Sequence, residues 1–584
     1  MTRMRRGSRA HVAFTAAVIV LFIVLSIFFT RPLATKASDS TVRHISDPQF
    51  QAWELAWQVH ELGINPTNLF NANIFFPNRY TLAYSDHQFA NALLAAPILL
   101  ATGNPMQSAN YLLIFQFFLC SLGAYLLVVH LTRNRAAGVI AGIAYSYAPY
   151  KLMHIVHLDL VSAAFIPLTL LFLHRYSEER RWYDAALAGL FFVLQTLTTW
   201  YYGIILAVSV ALFLVIRLIV KRSTFTLKWM LTLAIVFVVA LLLVLPFALP
   251  YLKLQKINPG FKRGPAEVDT FTADVQDFLV APKDNWFWGR ITSGFRANTL
   301  RRGEPAAPDE RSIFPGLIVL LLGITGTVYL FVKGKGEERF DRWFYPVLVV
   351  FMGIMCLGNT LYFFGHRTGI PMPYRIFYYL VPGFKALRVP PRFDIMIALG
   401  LAVLAGFGVK WIMQAISGKG AALTLIVVVA IFALLMVDLA SGSLPMEKIP
   451  QKSQFPPVYT WLEAQSGKAP TVELPILLLQ NSRKWIKQDS QRTYYSVLHW
   501  KYILNGYSGF LPQSIYEGAA AWDNFPSQKG VDFFKKEGIR FVIVHGSEID
   551  AATMLKIEQW DARHTDFNLI RRFGSDRVYA LPPG

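Results

Sequence analysis

Long apolar stretches recur along this chain and constrain its fold more than any other feature. After a first stretch at residues 11–30, ten more reach or approach bilayer-spanning length, at 110–131, 136–151, 158–173, 184–199, 201–220, 229–251, 314–332, 343–358, 393–414 and 421–438. A spanning helix needs about 20 predominantly apolar residues, because its backbone polar groups must be satisfied within the segment. The sequence therefore predicts a polytopic α-helical membrane protein with about 11 transmembrane helices.

The composition excludes a soluble globular protein and argues against a nucleic-acid partner. Hydrophobic residues make up 54% of the 584 residues and charged residues only 16%, too few to cover a soluble protein of this size. The net charge is +20, but the basic residues form short clusters at the ends of apolar stretches. Cys120 and Cys356 lie within apolar runs, where a thiol packs as a small hydrophobe, so no disulfide framework is expected.

The basic clusters predict the orientation in the membrane. With a cytoplasmic N-terminus, the loops on the inside carry Arg133, Arg135, 175–181, Lys221, Arg222, Lys228, 333–342 and Lys419. This agrees with the positive-inside rule and predicts a multi-pass protein of the plasma (inner) membrane. The first stretch follows four arginines but is long for a signal peptide, so we interpret it as a retained signal anchor. An odd number of spans then places the C-terminus outside.

This topology predicts a transmembrane domain at 1–440 and an extracytoplasmic α/β domain at 441–584. Within the first domain, three polar segments face outside: a first loop at 31–110, a second at 253–313 and a third at 360–392. In the C-terminal domain, we expect helices at 458–464 and 530–537 and strands at 471–474, 540–545 and 576–581. This domain contains neither a Gly-rich phosphate loop nor a nucleophile elbow, so a binding or supporting role is expected for it.

The first loop has an acidic residue directly before an amphipathic helix. Asp47 precedes Pro48, and Trp53 and Trp57 stand four residues apart on one helical face, as suits the membrane interface. An aspartate in this position also fits an ordinary N-cap, with proline in the first helical turn. The residues alone leave a capping role and a chemical role for Asp47 open.

Other polar groups lie in predicted outside segments. Asp86 and His87 close the first loop. His157, three residues after His154, and Asp159, five residues after it, belong to a polar segment on the outside between two predicted spans. Two histidines at this spacing are compatible with a metal half-site on a helix, whereas interfacial hydrogen bonding is the simpler explanation.

Three cations precede a predicted span in the third loop. Lys385, Arg388 and Arg392 lie within a segment containing two consecutive prolines. Arginine in such a place either extends toward lipid headgroups or binds a lipid phosphate through two parallel hydrogen bonds.

Taken together, this architecture resembles the GT-C superfamily of membrane glycosyltransferases. The similarity comprises the first span, the loop opening with an acidic residue before an amphipathic helix, about ten further spans and the outside α/β domain. More closely, the segments 68–77, 82–87, 384–393 and 505–512 resemble a large, mostly uncharacterised family of bacterial membrane proteins labelled as glycosyltransferases. The likeness covers nearly the whole chain.

The resemblance implies an inverting transferase that moves a sugar from a polyprenyl-phosphate donor to an acceptor on the outer face. It implies Asp47 as the catalytic base, because this residue matches the position of the acidic residue of the first loop in that superfamily. Arg388, Arg392 and Lys385 are then expected to bind the donor phosphate, and a support, acceptor-binding or metal-binding role falls to Asp86, His87, His157 and Asp159. A divalent cation, Mg²⁺ or Mn²⁺, is compatible with the resemblance, although the first loop lacks a clear Asp-x-Asp motif. The acceptor is a glycan, a lipid or a protein.

A non-catalytic protein that binds or transports lipid-linked glycans is the alternative. A proton-coupled carrier usually holds paired ionisable groups within its spans, whereas here such charge is scarce and carboxylates collect in the outside segments. This distribution favours the transferase.

Overall fold

The structure is a computed structural model that describes residues 2–294 and 310–582. Residues 295–309, which belong to the predicted second outside loop, lie outside the described residues. The first half of the chain forms α1 (Thr2–Phe29), α2 (Leu33–Lys36), β1 (Ser40–Val42), α3 (Ser46–Ile64), α4 (Phe89–Thr102), α5 (Pro105–Thr132), α6 (Arg135–Ser146), α7 (Pro149–Met153), α8 (Leu158–Val161), α9 (Phe165–Glu179), α10 (Trp182–Thr198), α11 (Trp200–Val220), α12 (Leu227–Ile257), α13 (Pro265–Phe271) and α14 (Trp288–Ile291).

The second half adds longer helices first and a small sheet later. Its elements are α15 (Leu317–Val332), α16 (Glu338–Cys356), β2 (Thr360–Phe363), β3 (His366–Pro371), α17 (Tyr374–Leu380), α18 (Asp394–Ala415), α19 (Ala421–Leu439), β4 (Met446–Lys448), α20 (Pro457–Glu463), β5 (Thr471–Leu474), α21 (Ser482–Tyr495), α22 (Gln513–Asp523), α23 (Gln528–Lys536), β6 (Phe541–Val544), α24 (Ala551–Asp561), β7 (Asn568–Phe573) and β8 (Asp576–Ala580).

The helices confirm a multi-pass membrane protein. Among the described residues, seven helical segments are long and apolar enough to cross a membrane: Val12–Phe29, Pro105–Thr132, Leu158–Glu179, Trp200–Val220, Leu227–Ile257, Pro390–Ala415 and Ala421–Leu439. The other predicted spans are also helical, as α6, α10, α15 and α16, but they do not meet the same criteria. The number of about 11 spans therefore stays a prediction.

The chain divides into two structural units. The first consists of Met1–Ala34, Leu113–Pro246 and Lys262–Leu444, and the second of Thr35–Leu112, Phe247–Phe261 and Pro445–Gly584. The second unit thus combines most of the predicted first loop with the predicted C-terminal domain. The domain boundary at 440/441 stays a prediction, as does the placement of the C-terminal domain outside the membrane.

The first unit is built around α18. This helix is buried from Asp394 to Val409 and packs against α6, α15 and α16. Its crossing with α15 is close because both helices present glycine: a Cβ on Gly326 would lie 1.8 Å from the Leu404 carbonyl oxygen. Small residues let helix backbones approach closely in membranes, where apolar burial does not drive helices together.

The second unit contains a four-stranded sheet with the order β5-β6-β8-β7. β5 and β6 are parallel, and the other two pairings are antiparallel. The predicted strand at 471–474 is β5, and those at 540–545 and 576–581 contain β6 and β8. The sequence analysis missed β7, because this edge strand is mostly exposed and carries two arginines in place of an apolar run.

Trp53 and Trp57 are buried within the protein and do not face lipid headgroups, so the expectation of an interfacial role is wrong. The two residues are 0% and 2% exposed, on a helix α3 that packs against α4 and α21. The Trp53 indole N–H donates to the Asn73 side-chain oxygen at 3.1 Å, and the Trp57 N–H donates to the Leu69 carbonyl at 2.9 Å. Both indoles are core residues whose polar atoms are satisfied inside the protein.

A buried histidine at the end of β6 joins a network of carboxylates. His545 Nε2 lies 2.9 Å from Glu473 Oε2, and Nδ1 lies 3.4 Å from Asp576 Oδ1. Burial alone would lower the pKa of His545, but the hydrogen bonds to Asp576 and Glu473 outweigh burial and raise the pKa to about 9. The imidazolium is therefore the form that the folded sheet stabilises at neutral pH.

This network predicts that the second unit loses stability in mild alkali. Because the folded pKa of His545 lies above its ordinary value of 6.5, its contribution is complete below pH 6.5 and disappears as the pH rises through about 9. The loss amounts to about 3 kcal/mol. We expect the unfolding temperature in detergent, measured by scanning fluorimetry, to fall between pH 7 and 10, and to fall less in His545→Gln. An equal decrease in both proteins would contradict the assignment.

Candidate functional site

Asp47 lies inside the first turn of α3 and is not its N-cap, contrary to the capping interpretation. The helix begins at Ser46, and its N-cap is Ile45, which has no side-chain cap hydrogen bond. Oδ1 of Asp47 accepts a hydrogen bond of 2.7 Å from the hydroxyl of Tyr507, 460 residues later in the chain. His44 Nε2 lies 3.9 Å from Oδ2, and the Asp47 side chain is 27% exposed. The carboxylate is thus held in place and still accessible to a solute.

His87 lies in an aromatic cluster of the second unit. Its ring stacks on Phe247 with centroids 5.3 Å apart, and Nδ1 lies 3.2 Å from the Tyr251 hydroxyl. Burial lowers the pKa of His87 to about 3, so the imidazole is neutral at physiological pH. Its neighbour Asp86 is half-buried.

In the first unit, Arg392 is paired with a carboxylate that the sequence analysis did not identify. Arg392 Nη2 donates to Glu310 Oε1 at 2.7 Å, and Nε donates to Oε2 at 3.3 Å. The guanidinium carbon lies 4.5 Å from the centre of the Tyr201 ring, and Arg392 is only 7% exposed. The planar fork that suits a phosphate is therefore occupied by an internal anion.

Glu310 is held ionised by two partners. Its Oε2 lies 3.0 Å from Nε2 of the buried His154. Burial alone would raise the pKa of Glu310. The Arg392 charge and the hydrogen bond with His154 outweigh burial and hold this pKa well below its usual range. The side chains of Glu310, Arg392 and His154 form a largely buried cluster, which we call the Glu310 cluster.

Arg388 is more accessible than Arg392. Its side chain is 36% exposed, with Nη1 3.8 Å from Glu267 Oε1. Its backbone N–H donates to the Tyr201 hydroxyl at 2.6 Å, so Tyr201 contacts both arginines. Lys385 is exposed, with Nζ 6.0 Å from the centre of the Tyr379 ring.

His157 and Asp159 lie beside the Glu310 cluster. The rings of His154 and His157 are 6.1 Å apart, and Asp159 interacts electrostatically with His157 and Arg392. The structure therefore places His157, Asp159 and Arg392 near one another, and their roles stay predictions. Within residues 2–294 and 310–582, no three His, Cys, Asp or Glu side chains are grouped as metal ligands. A divalent cation stays an expectation of the family resemblance.

Sequence reasoning missed Glu310, Tyr201 and Tyr507. Tyr507 lies within one of the segments that carried the family resemblance, so a signal was present without a role. Nothing in the local pattern around Glu310 or Tyr201 distinguishes them from other loop or span residues.

Asp47, Asp86 and His87 belong to the second unit, and the three predicted cations belong to the first.

Comparison with solved structures finds membrane glycosyltransferases, and the fold is similar to that of one of them, AftD. The arabinofuranosyltransferase AftD from Mycobacteria is similar, with a TM-score of 0.56 and 13% identity over 98% of this chain. This chain spans 40% of the length of AftD. The oligosaccharyltransferase AglB from Archaeoglobus fulgidus has a TM-score of 0.48 and 11% identity, covering 97% of this chain and 74% of its own. ArnT from Cupriavidus metallidurans has a TM-score of 0.46 and 11% identity, and the match covers 97% of this chain and 99% of ArnT.

Comparison of sequences identifies a family without an assigned activity. No curated protein matches the chain. A family model matches residues 7–440, which is most of the sequence and includes Asp47 and the Glu310 cluster. The chain therefore belongs to the family described as "Domain of unknown function (DUF6311)".

Proposed function

We propose that this protein is an inverting glycosyltransferase that uses a polyprenyl-phosphate-linked sugar outside the plasma membrane. One observation carries the proposal: on a GT-C fold, the Asp47 carboxylate is fixed by Tyr507 and remains 27% exposed. AftD, which has a similar fold, is named for the transfer of an arabinofuranosyl group, and this supports a sugar-transfer reaction. The proposal includes the topology of about 11 spans, a cytoplasmic N-terminus and an extracytoplasmic C-terminal domain.

In the proposed reaction, an acceptor hydroxyl attacks the anomeric carbon of the donor sugar. Its proton passes to Asp47, whose carboxylate acts as general base. As the new glycosidic bond forms, the bond between the anomeric carbon and the phosphate oxygen breaks, and polyprenyl phosphate leaves with the electron pair. Attack from the face opposite the phosphate inverts the anomeric configuration.

The leaving phosphate gains negative charge and needs cationic hydrogen-bond donors. We assign the first contact to Arg388, because its side chain is 36% exposed and its nearest carboxylate oxygen is 3.8 Å away. Arg392 reaches a phosphate only if the phosphate replaces Glu310, its present partner. Lys385, which is exposed, adds positive charge nearby in the sequence.

Arg388→Ala is expected to weaken donor binding about tenfold, since a charge-assisted hydrogen bond to phosphate is lost. The measurement is the affinity of the purified full chain for undecaprenyl phosphate, by native mass spectrometry in detergent. Arg375→Ala is the matched control, because Arg375 is an exposed arginine on α17 to which no role in phosphate binding is assigned. Unchanged affinity in Arg388→Ala would remove this residue from the phosphate site.

Mass spectrometry of a deletion strain tests the reaction class and names the substrate. We expect one cell-envelope glycan or glycolipid to lose a sugar, the corresponding lipid-linked sugar to accumulate, and the wild-type gene to restore both. A binding protein or a carrier would change where lipid-linked glycans reside without changing their covalent structure. Identical glycans and lipid-linked sugars in both strains would refute the proposed transfer.

A further inference from the structure

The second unit places a tyrosine of the C-terminal segment directly on Asp47. We infer that Tyr507 is a positioning residue, which orients the Asp47 carboxylate and favours its ionised form through the hydrogen bond of 2.7 Å. This inference rests on the proposed role of Asp47 as general base. It also gives the C-terminal segment a part in catalysis, beyond the supporting role expected from its sequence.

The segment that carries Tyr507 is fixed to the sheet by Asn505. The Asn505 side-chain oxygen accepts from the Glu473 backbone N–H at 2.7 Å, and its amide donates to the Glu473 carbonyl at 3.0 Å. Asn505 is fully buried, and Glu473 belongs to β5. The side chain therefore satisfies both backbone groups of one strand residue and holds the segment beside the sheet.

The next residue lets the segment pack against the first loop. A Cβ on Gly506 would lie 2.8 Å from the ring of Phe75, closer than van der Waals contact allows. The Phe75 backbone N–H donates to the Asn505 carbonyl at 3.0 Å. Only glycine leaves room for this approach, which fixes the segment on a second side.

The phenol of Tyr507 is also oriented by aromatic neighbours. Its ring meets Phe50 edge to face, with centroids 5.7 Å apart and an interplanar angle of 85°. Phe50 lies on α3 three residues after Asp47, so it packs on the same helical face. Trp485 of α21 lies 6.4 Å away between ring centres. Because residues of α3 and α21 hold the ring, the Tyr507 hydroxyl is already directed at Asp47.

This arrangement has a specific chemical consequence. A hydrogen bond donated to a carboxylate favours its charged form, so the base stays deprotonated in more acidic solution. The same bond limits rotation of the carboxylate, which keeps its orientation constant toward an attacking hydroxyl. A contact that only supports the fold would leave the pH dependence of the transfer rate unchanged when the hydroxyl is removed.

Tyr507→Phe tests the inference, because it removes only the hydroxyl. On the purified full chain, an infrared titration follows the carboxyl band that disappears in Asp47→Asn, and we expect its midpoint to rise by about one pH unit in Tyr507→Phe. The transfer rate is then measured in membranes of the deletion strain that carry each variant, with lipid-linked sugars extracted from that strain as donor. We expect the pH midpoint of the acid limb of this rate to rise by the same amount in Tyr507→Phe. Tyr516→Phe, at a 41% exposed tyrosine of the same unit, is the matched control and should change neither.

The two measurements separate this inference from the proposed function. An unchanged infrared midpoint in Tyr507→Phe overturns the inference, whatever the transfer rate does. A shifted midpoint without transfer by the wild type supports the contact and refutes the proposed function instead. Gly506→Ala provides a second variant, because it displaces the segment without altering the hydroxyl, and it is expected to shift the midpoint in the same direction.

Discussion

Asp47→Asn is expected to reduce sugar transfer about a thousandfold while the protein still inserts and folds. Asparagine has the size and shape of aspartate, so α3 and the contact with Tyr507 are retained. What is lost is the negative charge and, with it, the group that accepts a proton from the acceptor hydroxyl. Binding of undecaprenyl phosphate is expected to remain unchanged, because the proposed phosphate residues lie elsewhere in the chain.

The measurement is complementation of the deletion strain, with the missing glycan quantified by mass spectrometry and the protein by immunoblot of membranes. Asp39→Asn is the matched control, since Asp39 is a half-buried carboxylate of the same unit whose side chain accepts from Ser40 at 2.9 Å. We expect full restoration by the control and none by Asp47→Asn. Wild-type glycan levels with Asp47→Asn would exclude this carboxylate as the base and leave the binding-protein alternative in place.

Elements with a strong local pattern were predictable from the sequence. The strands Thr471–Leu474 and Phe541–Val544 were both found. The second is a short apolar run bounded by polar residues, which is typical of a buried strand. The spanning helices were found for the related reason that hydrocarbon requires long apolar segments. In both cases apolar burial stabilises the element, and the apolar residues that are buried stand next to one another in the sequence.

The misassigned residues have partners that are distant in the chain. Trp53 and Trp57 show the periodicity of an interfacial helix, but α3 is covered by α4 and α21, and no local pattern encodes that burial. Similarly, the bond from Tyr507 to Asp47 joins residues 460 positions apart, and Arg392 and Glu310 are 82 positions apart. The sequence supplied the candidate Asp47 through resemblance, while the groups that hold it became visible only in the folded chain.

The Glu310 cluster changes how the predicted phosphate residues are interpreted. On sequence alone Arg388 and Arg392 are equivalent, yet the structure gives Arg392 an internal carboxylate at 2.7 Å and leaves Arg388 the more exposed. Removing one partner of a buried ion pair costs about 3 to 5 kcal/mol, because the other charge is left unpaired. Loss of activity on replacing Arg392 would therefore report structure as much as phosphate binding, which makes Arg388 the more informative test.

Gly326→Ala is expected to destabilise the first unit by about 3 kcal/mol, although it adds a single methyl group. The new Cβ would lie 1.8 Å from the Leu404 carbonyl oxygen and 2.7 Å from the Gly408 nitrogen, both backbone atoms of α18 that no rotamer change can move. The crossing of α15 and α18 has to widen, which disturbs the central helix of the unit. The unfolding temperature in detergent and the yield of monodisperse protein measure the effect.

Gly353→Ala is the matched control on α16, where the nearest atoms to a Cβ lie 3.8 and 4.0 Å away, and alanine there is expected to be neutral or slightly stabilising. Equal unfolding temperatures for the two variants would show that the helices do not cross at Gly326 as closely as the structure has them.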